Sequence, residues 1–192
     1  LFPGVEDWFA RINAAGAARS LIVKHYVISS GLREMIEGTA IRSYLDAVFA
    51  SGFLYDGSDV AVGAAMAVNY TTKTQFLFRI NKGAMDLADD RAVNAFQPSE
   101  QRVVPFPNMV FIGDGDTDIP CFRLVKEQGG HSIAVFPAGD ARRQANGQRL
   151  IEEKRVHCSV PADYSPDAEL ERRVLAVLDL IAARGVITGP GA

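Results

Sequence analysis

Three aspartates stand within five residues, at Asp114, Asp116 and Asp118, directly after the apolar run 109–112. Like charges this close repel one another unless water or a cation relieves them. A divalent ion with a preference for oxygen would do so: magnesium takes a few carboxylate oxygens together with waters and substrate phosphate. Gly113 and Gly115 permit the tight turn that would aim Asp114 and Asp118 at one point. The competing role for residues 116–118 is to cap the helix that follows. Two other segments hold groups suited to an anion. Ser29 ends the apolar stretch Tyr26-Val27-Ile28 and, with Ser30 and Gly31, precedes a helix. Its hydroxyl and the adjacent backbone N–H groups would then meet an anion at a helix N-terminus; helix capping is again the alternative. Lys73, in Tyr70-Thr71-Thr72-Lys73, opens another helix. A cation there opposes the helix dipole and calls for an anion nearby, the alternative being a solvated surface lysine.

Other chemistries find no support. His25, His131 and His157 share no metal-ligand spacing and read as structural. Cys121 and Cys158 fit neither a disulfide framework nor a zinc site, which points to a reducing, cytoplasmic setting. There is no Gly-x-Ser-x-Gly elbow, Walker loop or Gly-x-Gly-x-x-Gly turn. A net charge of −3 provides no broad positive field for nucleic acid. A small anionic substrate would need locally placed cations instead. No apolar run approaches the roughly 20 residues of a membrane helix, and no basic start leads into a cleavable leader.

Strands alternating with helices must position these groups. Val5, Trp8, Phe9 and Ile12 recur at helical spacing between Pro3 and Gly16. Residues 21–29 read as a buried strand and 32–38 as a short helix. Two β-prone runs, 47–55 and 60–70, flank Asp56-Gly57-Ser58-Asp59 and predict a hairpin. Thr71 or Thr72 can cap the next helix, and Gly83 stands where it should end. Residues 84–108 read as partly helical, then loop. Beyond them come a strand at 109–112, a helix at 119–127, a strand at 131–136, a helix at 141–154, a strand at 156–160 and a final helix carrying Leu170, Val174, Val177, Leu178 and Ile181 on one side. This order predicts one α/β domain over residues 1–192, with a Rossmann-like parallel sheet covered by helices on both faces and a β-hairpin added. Such sheets bind ligands beyond the carboxyl ends of their strands, where Ser29, Lys73 and Asp114 to Asp118 fall.

Taken in order, these segments resemble the later motifs of the haloacid dehalogenase-like superfamily, in particular its phosphoserine phosphatase-like branch. Tyr26-Val27-Ile28-Ser29-Ser30-Gly31 resembles the second motif, whose serine or threonine bonds the transferred phosphoryl group. Lys73 resembles the third-motif lysine, and Val110-Phe111-Ile112-Gly113-Asp114-Gly115-Asp116-Thr117-Asp118 resembles the fourth, Gly-Asp-x-x-x-Asp. The resemblance covers residues 1–136. It implies a magnesium-dependent phosphomonoester phosphatase, with Ser29 and Lys73 as catalytic residues, Ser29, Ser30 and Lys73 around the phosphate, and Asp114 and Asp118 on Mg2+. It carries no role onto Asp116.

The first motif of that superfamily, Asp-x-Asp at the end of an opening strand, does not occur at the expected place. Leu54-Tyr55-Asp56 comes nearest but follows the serine segment and has Leu54 at the nucleophile position. Since the chain opens on Leu1 and not Met, the expectation is that the central strand, its nucleophilic aspartate and any cap domain lie upstream of residue 1, and that these residues alone are inactive. The rival readings are a non-catalytic α/β module that binds an anion or a partner, and another activity of the superfamily such as phosphotransfer or dehalogenation.

Overall fold

The computed structural model describes residues 1–187. Helix α1 (Val5–Ala17) buries Val5, Trp8 and Ile12 on one side, as the periodicity requires. Gly4 precedes it at φ 74, a conformation that suits glycine, and lies against the Tyr164–Ser165 backbone where a Cβ would clash. Strand β1 (Tyr26–Leu32) begins later than expected and runs on past Ser29-Ser30-Gly31, with an irregularity in register between Ser29 and Leu32. Residues 21–25 join no ladder because their groups are engaged elsewhere. Leu21 and Val23 pack into the core under α1, His25 Nε2 lies 2.8 Å from Asn13 Oδ1, and the His25 backbone N–H donates to the Asp46 carboxylate.

Helix α2 (Arg33–Glu37) ends at Gly38, and β2 (Ala47–Tyr55) returns parallel to β1. Strand β3 (Ala61–Met66) folds back antiparallel on β2. The turn between them forms as Asp56-Gly57-Ser58-Asp59 predicts, with the Asp56 carboxylate accepting from Ser58 and Val60 N–H at 2.8 and 3.0 Å. Helix α3 (Lys73–Lys82) stops at Gly83, φ 73. A short α4 (Asp90–Asn94), capped by the Asp89 carboxylate, and two single 3-10 turns fill the stretch before β4 (Val110–Gly113). Then follow a 3-10 turn at Asp116–Asp118, α5 (Ile119–Glu127), β5 (His131–Phe136), α6 (Ala141–Glu152), β6 (Cys158–Pro161) and α7 (Glu169–Ile187). No described helix is long and apolar enough to cross a membrane.

The architecture is α/β with helices on both faces. Strand alternation decides which residue meets which layer. Ile133 and Val135 of β5 join Val160 of β6 against Trp8 and Ile12 of α1 and Leu170, Val174 and Leu178 of α7. Ala134, between them, faces the other way, toward Phe122 of α5 and Leu150 of α6. A third cluster gathers Phe49 of β2, Phe76, Leu77 and Ile80 of α3, and Cys121 and Val125 of α5, with Tyr26 and Ile28 of β1 and Phe111 of β4 packed against it.

The single sheet expected from the sequence is divided into two ladders, β1-β2-β3 and β4-β5-β6. All pairs are parallel except the β2-β3 hairpin. Strands β1 and β4 each pair on one side only and not with each other, yet their side chains enter the same core cluster beneath α3 and α5. On the opposite face α1 packs Trp8 and Ile12 against β5 and β6 and sets Phe9 against His25, in the segment leading into β1. The two ladders are therefore joined through the core beneath α3 and α5, while among the described residues one edge of β1 and one of β4 are unpaired.

All three histidines titrate below the ordinary imidazole range. Burial is the leading cause in each, reinforced at His131 by the neighbouring His157 ring, 5.8 Å away between centroids. Because the fold disfavours their charged forms, the stability they contribute is fully present above the unfolded value of about 6.5 and is lost as pH falls from there through the folded values. Thermal melts should show Tm falling between about pH 6.5 and 5.5, before the carboxylates titrate, and replacing His131 with glutamine should flatten that slope. A Tm that holds constant across this interval would contradict the assignment.

Candidate functional site

Lys73 occupies the first turn of α3 and is only 5% exposed. The turn before it is built by Asn69, whose side-chain oxygen accepts the backbone N–H of Thr71 and Thr72 at 2.9 and 3.1 Å. Thr72 precedes the helix as expected, but its hydroxyl accepts from Asn69 N–H and does not cap the helix. Phe76, Leu77 and Ile80 fix the helix against the core and leave the Lys73 ammonium pointing at the loop after β4.

There it meets Asp118. The ammonium donates to Asp118 Oδ1 at 2.7 Å and to Thr117 Oγ1 at 3.3 Å. Asp118 is 6% exposed, and its other oxygen accepts the backbone N–H of Asp114 and Gly115 at 3.2 and 3.3 Å. One carboxylate thus closes the Gly113–Asp118 turn upon itself and ties it to α3. Gly113 is required for this: a Cβ there would stand 2.7 Å from Asp118 Oδ2. A lysine ammonium has three N–H donors, and two are engaged by Asp118 and Thr117. The third has no partner among the described residues.

Asp114 has the opposite character. Its side chain is 52% exposed, and its carboxylate lies 3.7 Å from Arg143 Nη1. Asp116 is exposed and meets Asn146 and Arg149 of α6 at 3.1 and 3.4 Å. The Tyr164 hydroxyl is pushed up to about 12, by burial first and by the Asp114 carboxylate second, so it stays protonated beside this strand end. The Cys121 thiol, fully buried one turn beyond Asp118, is likewise pushed up to about 12 by burial and then by Asp118, which leaves it unreactive.

Of the residues chosen from sequence, the structure brings Lys73, Asp114 and Asp118 into one neighbourhood. Ser29 lies next to Ile28, which packs in the same cluster as α3, but its hydroxyl accepts the Gly31 N–H at 3.0 Å and bonds to none of the three. The anion cradle expected at a helix start after Ser29 is absent in that form, because the strand continues to Leu32 and the helix beyond it has five residues. Ser30 is exposed, and its carbonyl accepts the Ser51 hydroxyl. Thr117, Arg143, Asn146 and Arg149 were not singled out from sequence. The last three stand at three-residue spacing on α6, a pattern that marks one helix face.

Among the described residues no three His, Cys, Asp or Glu side chains are grouped as a metal ligand set. The available oxygens are the outward carboxylate of Asp114 and that of Asp118, already held by Lys73 and two N–H groups.

No family model matches the chain. It is 27% identical over 184 residues to a protein of Borreliella burgdorferi described as an uncharacterized protein. The match takes in 87% of this chain and 61% of that protein, so the chain spans about three-fifths of the length of the relative it matches.

Removing one member of a buried ion pair strands the other, at about 3–5 kcal/mol. Lys73→Met and Asp118→Asn should each lower the unfolding free energy by that order in urea titrations. The double variant should cost clearly less than the sum, because the interaction is lost only once. Additive losses would show that the pair contributes nothing as a pair.

Proposed function

We propose that the polypeptide carrying this chain is a magnesium-dependent phosphohydrolase that cleaves a small phosphomonoester through an aspartyl-phosphate. The observation that supports it best is the buried Lys73–Asp118 pair, 2.7 Å between Nζ and Oδ1. Two residues 45 positions apart, likened from sequence to two different motifs of one superfamily, are in direct contact. The ammonium retains a donor for a phosphoryl oxygen, and a fixed cation in a water-poor site stabilises charge as it develops in a transition state.

The divided sheet supports the same reading. Two ladders that share a core beneath α3 and α5, with β1 and β4 each unpaired on one edge among the described residues, offer two strand edges that a further parallel strand could join. In the proposed enzyme that strand carries Asp-x-Asp. Its first carboxylate attacks phosphorus while the substrate alcohol departs with a proton from the second. Water then attacks the aspartyl-phosphate, giving its proton back to the second carboxylate and releasing inorganic phosphate.

Magnesium suits the donors present, since it takes one or two carboxylates and completes its shell with waters and phosphate. Asp114 and Asp118 would be the residues that hold it, and the ion would offset charge on the phosphoryl oxygens. Lys73 binds and orients the phosphoryl group. Ser29, within β1 of the neighbouring ladder, would keep the bond it accepts from Gly31 N–H and donate its own hydroxyl proton to a phosphoryl oxygen.

The test is hydrolysis of p-nitrophenyl phosphate by the polypeptide as encoded, with magnesium and with a chelator. Turnover should require the metal, and Asp114→Asn and Lys73→Met should each lower kcat by about 10²–10³. Unchanged turnover in Asp114→Asn would overturn the metal assignment. A folded protein that hydrolyses no phosphate ester with magnesium present would leave the chain as an anion-binding or interaction module.

A further inference from the structure

One side of α6 is given over to the acidic turn. Arg143, Asn146 and Arg149 follow one another at three-residue spacing, and each contacts residues 114–116. The two arginines are used differently. Arg149 is fastened to Asn146 Oδ1 at 2.6 Å and reaches the Asp116 carboxylate. Arg143 Nη1 donates to the backbone carbonyl of Asp114 at 3.0 Å and stands 3.7 Å from the carboxylate of the same residue.

We propose that Arg143 is a built-in counter-cation of Asp114, which anchors the turn through the Asp114 carbonyl and yields the Asp114 carboxylate to a divalent cation. This rests on the reading of Asp114 as a metal-holding residue. With both side chains half-exposed, 50% and 52%, the pair is solvated. Such pairs shift an equilibrium by no more than about fivefold. A divalent ion therefore displaces the guanidinium readily. The carbonyl bond does not compete with the ion, so the turn keeps its anchor while the carboxylate changes partner. Asp118 is the contrasting case, buried and held in place by Lys73 and two N–H groups, so its carboxylate keeps those partners. The turn thus pairs one fixed carboxylate with one exchangeable one, and Arg143 sets the charge against which a cation must enter.

The sign of the effect separates this role from a merely structural one. Arg143→Gln removes the competing charge and, being two bonds shorter, also gives up the Nη1 bond to the Asp114 carbonyl; tighter cation binding in spite of that loss marks the charge, whereas an arginine that served only as structural support would weaken binding when lost. The measurement is a Mn2+ titration followed by electron paramagnetic resonance of the free ion, on the polypeptide as encoded, at low ionic strength. Thermal melts confirm that each variant is folded. Arg143→Gln should bind Mn2+ about two- to fivefold more tightly than wild type, and the difference should shrink at about 0.5 M salt, where exposed charges are screened. Arg149→Gln should leave the affinity as it is. Equal or weaker binding in Arg143→Gln, or equal tightening in Arg149→Gln, would defeat the counter-cation while leaving Asp114 as a ligand. If wild type and Asp114→Asn bind Mn2+ alike, the metal-holding role of Asp114 fails, and this inference fails with it.

Discussion

The ammonium of Lys73 and the carboxylate of Asp118 sit together away from water, and most of the candidate site follows from keeping them satisfied. A buried charge without its partner costs several kcal/mol, so geometry at both ends is tightly constrained. At one end α3 must present its first turn to the loop after β4, which Asn69 and the Phe76, Leu77 and Ile80 contacts secure. At the other, Asp118 must fold back over Gly113 to take the N–H groups of Asp114 and Gly115. The same pair ties the helix that covers β1 and β2 to the loop that ends β4, across the line where the sheet is divided.

That division gives the molecule its second constraint. Parallel ladders with helices on both faces ordinarily continue from strand to strand, since an unpaired edge leaves backbone groups without partners. Here β4 is half-buried along its length while β5 beside it is almost wholly buried. The halves share the core beneath α3 and α5 without a ladder between them. The proposed nucleophile strand and the proposed phosphate site thus concern one region of the fold, the carboxyl ends of β1 and β4.

Electrostatics around the acidic turn is graded from interior to surface. Asp118 is neutralised by Lys73, Asp114 is loosely faced by Arg143, and Asp116 is met by Arg149 and Asn146 in solvent. Three carboxylates within five residues are tolerated because each has its own positive partner, Asp118 from α3 and Asp114 and Asp116 from α6. The exposed pairs are weak, so the outer part of the turn can change partners while the inner part stays fixed.

Much of this was legible in the residues. Helical spacing placed α1, α3, α5 and α7, the Asp56-Gly57-Ser58-Asp59 turn placed the hairpin, and Gly83 marked its helix end, since these depend on local periodicity and backbone preference. Lys73, Asp114 and Asp118 were picked out by residue type and spacing, and tertiary contact joins them. What the order of residues did not contain was anything that depends on distant partners. The start of β1 was misplaced because Leu21, Val23 and His25 are engaged by α1 and Asp46 instead of a neighbouring strand. Ser29 makes no bond to the lysine, and its hydroxyl accepts the Gly31 N–H of its own strand, a local contact that residue types alone do not reveal. The division of the sheet and the service of Arg143, Asn146 and Arg149 to the acidic turn were decided only by packing, because pairing between strands and between charges is a matter of which surfaces the folded chain brings together.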